Sequence, residues 1–202
     1  MSKKPFAPAS DRNRLPILDV LRREFADVCS VLEIGSGTGQ HAVCFAKAMQ
    51  QLDWQPSDLE EHHAGMRMWL DEARLPNVRA PLVLDVMTAD LPPASRDAVF
   101  SANTAHIMSF EAVQKMIELV GRVLKNGGIF CLYGPFRRNG VFNTPSNASF
   151  DEQLRRNDPD MGIRDLEDLD SLGQKSGLER QRLYAMPANN HVAVWEKSDG
   201  RP

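Results

Sequence analysis

The residues with the clearest chemical potential lie in a glycine-rich segment, Glu33–Gly39 (EIGSGTG). It follows an apolar run, Ser30–Ile34, that predicts a buried strand, and precedes the nearly apolar segment His41–Met49, which predicts a helix. Glycines permit a tight turn and let a ligand approach the backbone, and the first N–H groups of a helix lack partners within it. The segment therefore predicts a ligand-binding loop, although an ordinary strand-to-helix turn would use the same residues.

The spacing of the glycines distinguishes between the ligands that bind such loops. A dinucleotide site has the pattern G-x-G-x-x-G, but Gln40 stands where its third glycine would fall. No Gly-Lys-Ser/Thr sequence follows, which excludes a phosphate-binding P-loop. Glu33 would repel a pyrophosphate but suits a cation, and this favours S-adenosylmethionine, which carries a sulfonium and an ammonium group, over NAD. The residues of this segment expected to bind that cofactor are Glu33, Gly35, Ser36, Gly37, Thr38 and Gly39.

Acidic residues after two later predicted strands strengthen this interpretation. Asp58 lies 19 residues after Gly39, close to the offset of about 20 residues at which an acidic side chain reaches ribose hydroxyls. Asp85 could accept a hydrogen bond from an adenine amino group while Val86 packs against the ring. All lie at the expected carboxyl ends of parallel strands, where open α/β sheets bind ligands. As alternatives, Asp58 caps a helix and Asp85 forms a turn.

Strands and helices alternate along residues 14–133, which predicts the sheet that must position these side chains. The expected strands are Ser30–Ile34, Leu52–Gln55, Pro81–Leu84, Ala98–Ser101 and Ile129–Tyr133. This alternation predicts a parallel sheet with helices on both faces. Gln181–Met186 and His191–Trp195 predict a closing hairpin. The expected fold is therefore a Rossmann-like α/β fold with seven strands, mostly parallel, ending in a C-terminal antiparallel hairpin.

The sequence also predicts the boundaries of the elements. Residues 1–202 are expected to form a single domain, with a mobile arm over residues 1–10. Pro56 is expected to end the second strand, and Asn126-Gly127-Gly128 is expected to end the helix Glu111–Leu124. Residues 134–162 are rich in Pro, Gly and Asn, and they are expected to form a long ordered loop with at most one helix. A loop of this length in a compact domain is usually functional, so we expect a lid over the active-site face.

Several segments resemble the motifs of class I S-adenosylmethionine-dependent methyltransferases: VLEIGSGTGQH the first, PSD the second, LDV the third, DAVFSANTAHIM the fourth and LKNGGIFCLYGPF the fifth. Longer blocks, PASDRNRLPIL, NTPSNASFDEQLRRNDPDMGIRD and MPANNHVAVWEK, resemble the methyltransferase-like protein 26 family, whose bacterial members are catalogued as domain of unknown function 938. The resemblance implies a methyltransferase and carries over no established acceptor. The cofactor positions that it implies are Glu33, Gly35, Gly37, Gly39, Asp58, Asp85 and Asn103.

Candidate catalytic and substrate residues follow the last parallel strands. His106 is a candidate base or orienting donor, and Tyr133 a candidate substrate contact; alternatively, His106 only bonds locally at a helix start. The candidate substrate-binding residues are Arg137, Asn143, Ser146 and Asn147, of which the polar residues could instead stabilise their own turns. Arg12 could pair with the cofactor carboxylate or belong to a surface arm.

Composition limits the other possibilities. The 24 basic and 27 acidic residues give a net charge of -3 without clustering, which disfavours a nucleic-acid partner and leaves a small-molecule acceptor as the expectation. No apolar run approaches the roughly 20 residues of a membrane helix, and the N-terminal residues lack a signal sequence. Cys29, Cys44 and Cys131 are interpreted as buried thiols, so a cytoplasmic location is expected. No metal is expected, because the adjacent His62 and His63 would face different sides of a helix. The sequence leaves the oligomeric state open.

Two alternative functions remain. One is a protein that binds S-adenosylmethionine or S-adenosylhomocysteine without transferring a methyl group, as a sensor or partner subunit, since a fold does not fix a function. The other, an NAD-dependent reductase, is disfavoured by Gln40 and by the absence of a Tyr-x-x-x-Lys pair. A pocket closed by residues 134–162 beside the methyl site would favour the enzyme.

Overall fold

The computed structural model describes residues 3–198, in which ten strands and six α-helices form. The strands are β1 (Ser30–Ile34), β2 (Asp53–Asp58), β3 (Leu82–Val83), β4 (Arg96–Ala102), β5 (Leu124–Gly134), β6 (Phe136–Arg138), β7 (Val141–Phe142), β8 (Arg164–Asp165), β9 (Leu178–Met186) and β10 (Asn190–Lys197). The helices are α1 (Pro8–Glu24), α2 (Gln40–Ala48), α3 (His63–Ala73), α4 (Phe110–Val123), α5 (Pro145–Asn157) and α6 (Leu166–Lys175). Short 3₁₀ helices cover Glu60–His62 and Pro187–Asn189. No helix of the described residues is long and apolar enough to cross a membrane.

Seven strands form one sheet in the order β3-β2-β1-β4-β5-β10-β9. The pairs from β3 to β5 are parallel, and β10 runs antiparallel to both β5 and β9. The predicted Rossmann-like fold with a closing hairpin is therefore confirmed. The strands β1 and β4 are neighbours in the middle of the sheet. The strands that follow β1 in the chain, β2 and β3, lie on one side of this pair, and β5, which follows β4, lies on the other. The carboxyl ends of β1 and β4 therefore flank the point where the strand order reverses. Open α/β sheets bind ligands at this point.

The sheet has an apolar core on each face, because successive side chains of a strand point to opposite sides. Val31 of β1 packs in the core shared with α1 and α2, whereas Leu32 and Ile34 pack in the core shared with α4 and α6. The alternation along β1 therefore determines which of its side chains face each helical layer, and Glu33 falls on the side of Val31.

The expectation that Pro56 ends the second strand is wrong, since β2 continues to Asp58. The Ser57 N–H points toward the β1 side, where it bonds Ser36 Oγ at 3.1 Å. N–H groups of neighbouring strand residues point to opposite sides, so the Pro56 nitrogen faces the side of β3. That strand pairs only with Ser57 and Asp58. Pro56 therefore removes no hydrogen bond of the sheet, which is the condition for a proline inside it.

The expectation that Asn126-Gly127-Gly128 ends a helix is also wrong. The helix α4 ends at Val123, and Leu124 is already extended. The pairing of β4 with β5 shifts between Arg96 and Ala98, so the residues after Leu124 form a bulge in β5. Gly127 has a φ of +71° in this bulge, a conformation that glycine adopts without steric cost.

The two segments outside the alternating pattern are more ordered than their composition indicates. Pro8–Ser10 form the first turn of α1, which corrects the expected arm, because proline fits the first turn of a helix. Trp69 of α3 donates a hydrogen bond from Nε1 to the Pro5 carbonyl at 2.7 Å, so the preceding residues lie against α3. Met1 and Ser2 of the expected arm lie outside the described residues.

Residues 134–162 contain the one helix allowed by the sequence prediction, α5, together with β6 and β7. These two strands join β8 in a second sheet of order β7-β6-β8. The segment is therefore mostly regular structure rather than loop. Among the cysteines, the expectation of three buried thiols is wrong for Cys29, which is exposed at the end of its apolar run, whereas Cys131 is buried and Cys44 is intermediate.

Candidate functional site

A cleft of about 490 Å³ opens at the carboxyl ends of β1, β2 and β4. We call it the first cleft. It is lined by Ile34, Leu84, Ile107 and Met108 together with residues of the glycine loop, Gly35–Gly39. The sequence-predicted cofactor residues that line it are Gly35, Ser36, Gly37, Thr38, Asp58, Asp85, Val86 and Asn103. The fold thus brings together residues from four separate segments of the chain.

The glycine loop is shaped by packing at its ends and is open in its middle. Gly35, Gly37 and Gly39 have φ values of +73°, +54° and +83°. A Cβ atom on Gly35 would lie 2.5 Å from Cγ2 of Thr104, and one on Gly39 would lie 2.8 Å from Cγ of Met66. A Cβ on Gly37 would meet nothing within 4 Å. Packing therefore explains the outer glycines, while Gly37 leaves free space beside its exposed backbone.

Asp58 connects the end of β2 to the glycine loop. Its Oδ2 accepts a hydrogen bond from the Gly37 N–H at 2.6 Å, and its Oδ1 accepts from the Leu59 N–H at 2.8 Å and from Nδ1 of His62 at 2.7 Å. The Asp58 side chain is only 11% exposed. It lines the first cleft while holding the loop in place. The local hydrogen bonds are therefore observed, and the contact with a ligand stays a prediction.

Glu33 is not among the residues that line the first cleft, and its part in cofactor binding stays a prediction. Its side chain lies on the α1 and α2 face of the sheet, as the strand alternation requires, and is 1% exposed. Trp54 donates a hydrogen bond from Nε1 to Oε2 of Glu33 at 2.8 Å. Burial raises the pKa of this carboxyl to about 7, against hydrogen bonds from Trp54 and Ser36 that lower it. Glu33 therefore supports the loop from beneath, without contact with the cleft.

The far wall of the first cleft combines one carboxylate with apolar side chains. Asp85 is exposed at the rim, and its Oδ1 accepts a hydrogen bond from the Met87 N–H at 2.9 Å. Its Oδ2 accepts none from the described residues. Leu84 and Val86 beside it are buried. An exposed acceptor next to apolar walls suits a flat ring that carries an amino group.

His41, in the first turn of α2, also lines the first cleft. It is 6% exposed, and its Nε2 donates to Oδ1 of Asn13 at 2.7 Å. Burial lowers its pKa to about 4, so the imidazole is neutral at physiological pH. It stacks on Phe45 with ring centroids 5.1 Å apart. An isolated histidine at the start of a helix carries no sequence signal that distinguishes packing from a wall position.

A second cleft of about 570 Å³ adjoins the first. Ala7, Ser10, Asn103 and Ile107 line both, so the two clefts share a boundary. The remaining walls come from the start of α1, the residues after β4 and β5, the first half of α5 and the connection between β9 and β10. These residues are Ala9, His106, Pro135, Ser146, Asn147, Phe150, Ala188 and Asn190. The predicted lid segment therefore contributes one wall of a cleft beside the first.

His106 is the titratable side chain of the second cleft. It is 7% exposed, and its ring lies edge-on to that of Phe150, with centroids 5.5 Å apart. Burial lowers its pKa to about 4, with a smaller contribution from the Arg164 charge. Neither ring nitrogen forms a hydrogen bond within residues 3–198. Buried polar groups are normally paired, so this imidazole offers one donor and one acceptor to a ligand in the cleft.

Tyr133 and Arg12 line neither cleft, and the roles expected for them stay predictions. Tyr133 is 4% exposed and packs in the core beneath α1 and α2, because the alternation along β5 directs it to that face. Burial raises the pKa of its phenol, and a hydrogen bond with Asn13 opposes that shift. Arg12 is exposed on α1, close enough to Tyr133 for its charge to lower that pKa.

The candidate substrate residues divide into two groups. Ser146 and Asn147 line the second cleft, whereas Asn143 and Arg137 line neither cleft. Asn147 donates from Nδ2 to Oδ1 of Asn143 at 2.7 Å and to the Asn189 carbonyl at 3.2 Å. These bonds attach α5 to the hairpin turn. Arg137 lies over the Phe142 ring, 5.5 Å from its centroid.

No group of three or more His, Cys, Asp or Glu side chains within residues 3–198 is arranged to hold a metal ion.

Arg164 connects the segment after β4 to the second sheet. It donates from Nε to the Ala105 carbonyl at 2.9 Å and also bonds the Met108 carbonyl. It therefore fastens the segment that carries His106 to the strand β8.

Solved structures with the same fold include methyltransferases. An O-methyltransferase family protein from Burkholderia thailandensis matches with a TM-score of 0.80 and 16% identity over 93% of this chain and 57% of its own. The S-adenosylmethionine-dependent methyltransferase SibL matches with a TM-score of 0.77 and 23% identity, over 94% of this chain and 55% of its own. PigF, solved with SAH, matches with a TM-score of 0.76 and 18% identity, over 90% of this chain and 61% of its own.

These similarities show the fold. The chain spans between 55% and 61% of the length of these three proteins. Comparison of the sequence with family models is more specific than the similarity of fold, because the matched residues include those that line both clefts. The model of the family described as "Protein of unknown function (DUF938)" matches residues 4–197, and the chain therefore belongs to this family.

Proposed function

We propose that this protein is an S-adenosylmethionine-dependent methyltransferase that acts on a small-molecule acceptor. The observation that carries the proposal is the pair of adjoining clefts at the carboxyl edge of the sheet. The first is lined by the glycine loop and two carboxylates, and the second reaches a buried imidazole without partners among the described residues. A transferase needs such an arrangement, because donor and acceptor must meet at one boundary.

The residues of the first cleft fit S-adenosylmethionine. The free space at Gly37 lets a ligand approach the loop backbone. Asp58 would accept a hydrogen bond from a ribose hydroxyl at Oδ2, which accepts only the Gly37 N–H and so keeps a free lone pair. Asp85 would accept from the adenine amino group, and Val86 would pack against the ring. When bound, the cofactor supplies a methyl group on a positively charged sulfur.

The chain itself contributes positioning and exclusion of water. Asn103 lies at the boundary of the two clefts in a left-handed conformation, with a φ of +60°. Its N–H donates to the Tyr133 carbonyl at 2.9 Å, which holds this turn to the end of β5. His106 follows three residues later and would orient the acceptor. Its neutral imidazole makes it a hydrogen-bonding group at physiological pH.

The comparisons support the proposal at the level of the fold, since proteins of this fold include methyltransferases and one solved with SAH. The sequence blocks that resemble the methyltransferase-like protein 26 family agree with it.

A matched pair of glycine variants tests the proposal. Gly37→Val would fill the free space of the first cleft, and Gly127→Val is its control. Both glycines have a positive φ, of +54° and +71°, and a Cβ on either meets nothing within 4 Å, so both substitutions impose similar backbone strain. Isothermal titration with S-adenosylmethionine should show binding to Gly127→Val and none to Gly37→Val. Equal affinities would contradict the proposed site.

An assay for S-adenosylhomocysteine release separates the enzyme from the alternative, a protein that binds the cofactor without transferring its methyl group. The purified protein is incubated with S-adenosylmethionine and a mixture of small hydroxyl and thiol compounds. Release above the rate without compounds supports transfer. Binding without release from any compound supports the alternative.

A further inference from the structure

We propose that the acceptor is an uncharged, largely apolar small molecule with a hydroxyl or thiol group, held in the second cleft against Phe150 and Ile107 with that group between His106 and Asn147. This inference rests on the proposed methyltransferase function and specifies its substrate class. Four features of the second cleft carry it: its lack of charge, its apolar walls, its unpaired polar atoms and its boundary with the first cleft.

The walls of the second cleft carry no charge at neutral pH. Within the described residues, no Asp, Glu, Lys or Arg lines it. His106, its titratable group, has a pKa of about 4 and is neutral. An ion in such a site would lose its hydration without gaining a partner, which is costly. A cleft elsewhere on the surface, lined by Arg67, Arg74 and Arg79, shows that this chain places charge in other concave sites.

Apolar side chains remain uncovered in the second cleft. Ile107 is 50% exposed and Phe150 is 36% exposed, although both lie at the boundary of concave walls. Pro135 and Ala188 extend this apolar surface. A ligand that covers these side chains would gain the free energy of removing apolar surface from water. The body of the acceptor is therefore apolar.

Two buried polar side chains specify one hydrogen-bonding group on that body. Both donors of Asn147 Nδ2 are used, by Asn143 and by the Asn189 carbonyl, while Asn147 Oδ1 accepts no hydrogen bond from residues 3–198. Asn147 is 6% exposed and His106 is 7% exposed. Asn147 Oδ1 can only accept, so its partner must carry a donor hydrogen, as an O–H or S–H does. An aliphatic amine would also donate, but it is charged at neutral pH and finds no charged partner in the lining of the cleft. His106 can accept from the same group or donate to its second lone pair.

The reaction of such a group balances with the residues present. A lone pair of the acceptor oxygen or sulfur forms the new bond to the methyl carbon, and the electron pair of the broken carbon–sulfur bond remains on the donor sulfur. The acceptor then releases its O–H or S–H proton, which the unprotonated imidazole of His106 can receive and pass to water. The products are a neutral methyl ether or thioether, S-adenosylhomocysteine and a proton.

Three naphthalene compounds of the same shape test the predicted charge preference. The probes are 2-naphthol, which is neutral, 2-naphthoate, an anion, and 2-naphthylmethylammonium, a cation. Each is titrated into protein saturated with S-adenosylhomocysteine. We expect 2-naphthol to bind about tenfold or more tightly than either ion, since neither ion finds a partner in the cleft. Equal binding of the three, or tighter binding of an ion, would overturn the proposal.

Variants locate the binding of 2-naphthol. Phe150→Ala should weaken it, whereas Phe110→Ala should leave it unchanged, because Phe110 is similarly exposed, at 43%, and lines neither cleft. His106→Leu should weaken binding and His106→Gln should restore part of it, since glutamine retains a donor and an acceptor. Equal effects of Phe150→Ala and Phe110→Ala would overturn the location.

Binding of S-adenosylhomocysteine is measured first on every variant, and this separates the two proposals. If it binds but 2-naphthol shows no preference over the ions, the acceptor class is wrong and the methyltransferase proposal stands. If it does not bind to the wild-type protein, both proposals are overturned.

Discussion

The N–H group of Gly37 donates a hydrogen bond to Oδ2 of Asp58 at 2.6 Å, which joins the glycine loop to the end of the neighbouring strand. One residue thus supports the loop that forms the first cleft and also lines that cleft. The same carboxylate accepts from Leu59 and His62. Loop geometry and ligand affinity should therefore respond together when Asp58 is changed.

Asp58→Ala should lower the affinity for S-adenosylhomocysteine by at least about tenfold, because a buried acceptor is lost and the Gly37 N–H loses its partner. Asp53→Ala is the control. Asp53 lies at the opposite end of β2, where its carboxylate pairs with Arg79 at 2.7 Å. Isothermal titration measures both. An unchanged affinity in Asp58→Ala would exclude a role for this carboxylate in the cleft.

Gly35→Ala should destabilise the protein by about 1–3 kcal/mol, because its φ is positive and the new Cβ would lie 2.5 Å from Thr104 Cγ2. Thr104→Ser removes that methyl group but keeps the hydroxyl that bonds Ser101 Oγ at 2.7 Å. The double variant should therefore recover part of the loss in urea unfolding. Additive effects of the two substitutions would show that the methyl contact is not responsible.

Glu33 should make the stability of this protein fall as the pH rises. Its pKa of about 7 in the folded state exceeds the ordinary value of 4.5 for a glutamate carboxyl, so the folded state holds a proton that the unfolded state releases between these pH values. The stabilising contribution is present below pH 4.5 and is lost as the pH rises through 7.

The free energy of unfolding of Glu33→Gln, measured relative to that of the wild-type protein, should be higher at pH 8 than at pH 5. The change between the two pH values should reach up to about 3 kcal/mol. Glutamine can still accept the hydrogen bond from Trp54, so the geometry is retained. Urea unfolding at the two pH values gives the difference. A variant with the same pH dependence as the wild-type protein would show that Glu33 is ionised in the folded state.

His106 should have the opposite effect on stability. Its pKa of about 4 in the folded state lies below the ordinary value of 6.5 for a histidine, so between these pH values the unfolded state binds a proton that the folded state does not. Its contribution is present above pH 6.5 and is lost as the pH falls toward 4. At pH 5 the wild-type protein should therefore have lost about 2 kcal/mol that His106→Gln retains.

NMR titration of the His106 ring checks the cause directly, because its resonances should not shift between pH 8 and 5.5. A midpoint near pH 6.5 for His106 would show that its ring is solvated, and the interpretation of the second cleft would then be wrong.

The order of the elements could be predicted from the sequence, because a parallel sheet requires alternating apolar strands and helices, and the glycine loop marks the first connection. The face of the sheet to which an individual side chain points was less predictable. Glu33 and Tyr133 lie on strands that were correctly located, yet both point to the face beneath α1 and α2. A short apolar run buried on both faces has no polar alternation that would indicate which side faces the ligand edge.

Contacts between distant residues could not be predicted at all. The hydrogen bond from Asn147 to the Asn189 carbonyl joins residues 42 positions apart and places the start of α5 beside the hairpin turn. Local composition indicated only a loop there. Similarly, Pro56 remains within β2 because the neighbouring strand β3 is very short. The length of the neighbouring strand is a property of the assembled sheet, so the sequence of β2 alone does not contain it.

The most direct test of the central claim is isothermal titration of the wild-type protein with S-adenosylmethionine, S-adenosylhomocysteine and NADH. The geometry of the first cleft predicts that both sulfur compounds bind, that NADH does not, and that Gly37→Val abolishes binding of both. Binding of NADH, or the failure of a folded sample to bind either sulfur compound, would contradict the assignment of the first cleft to S-adenosylmethionine.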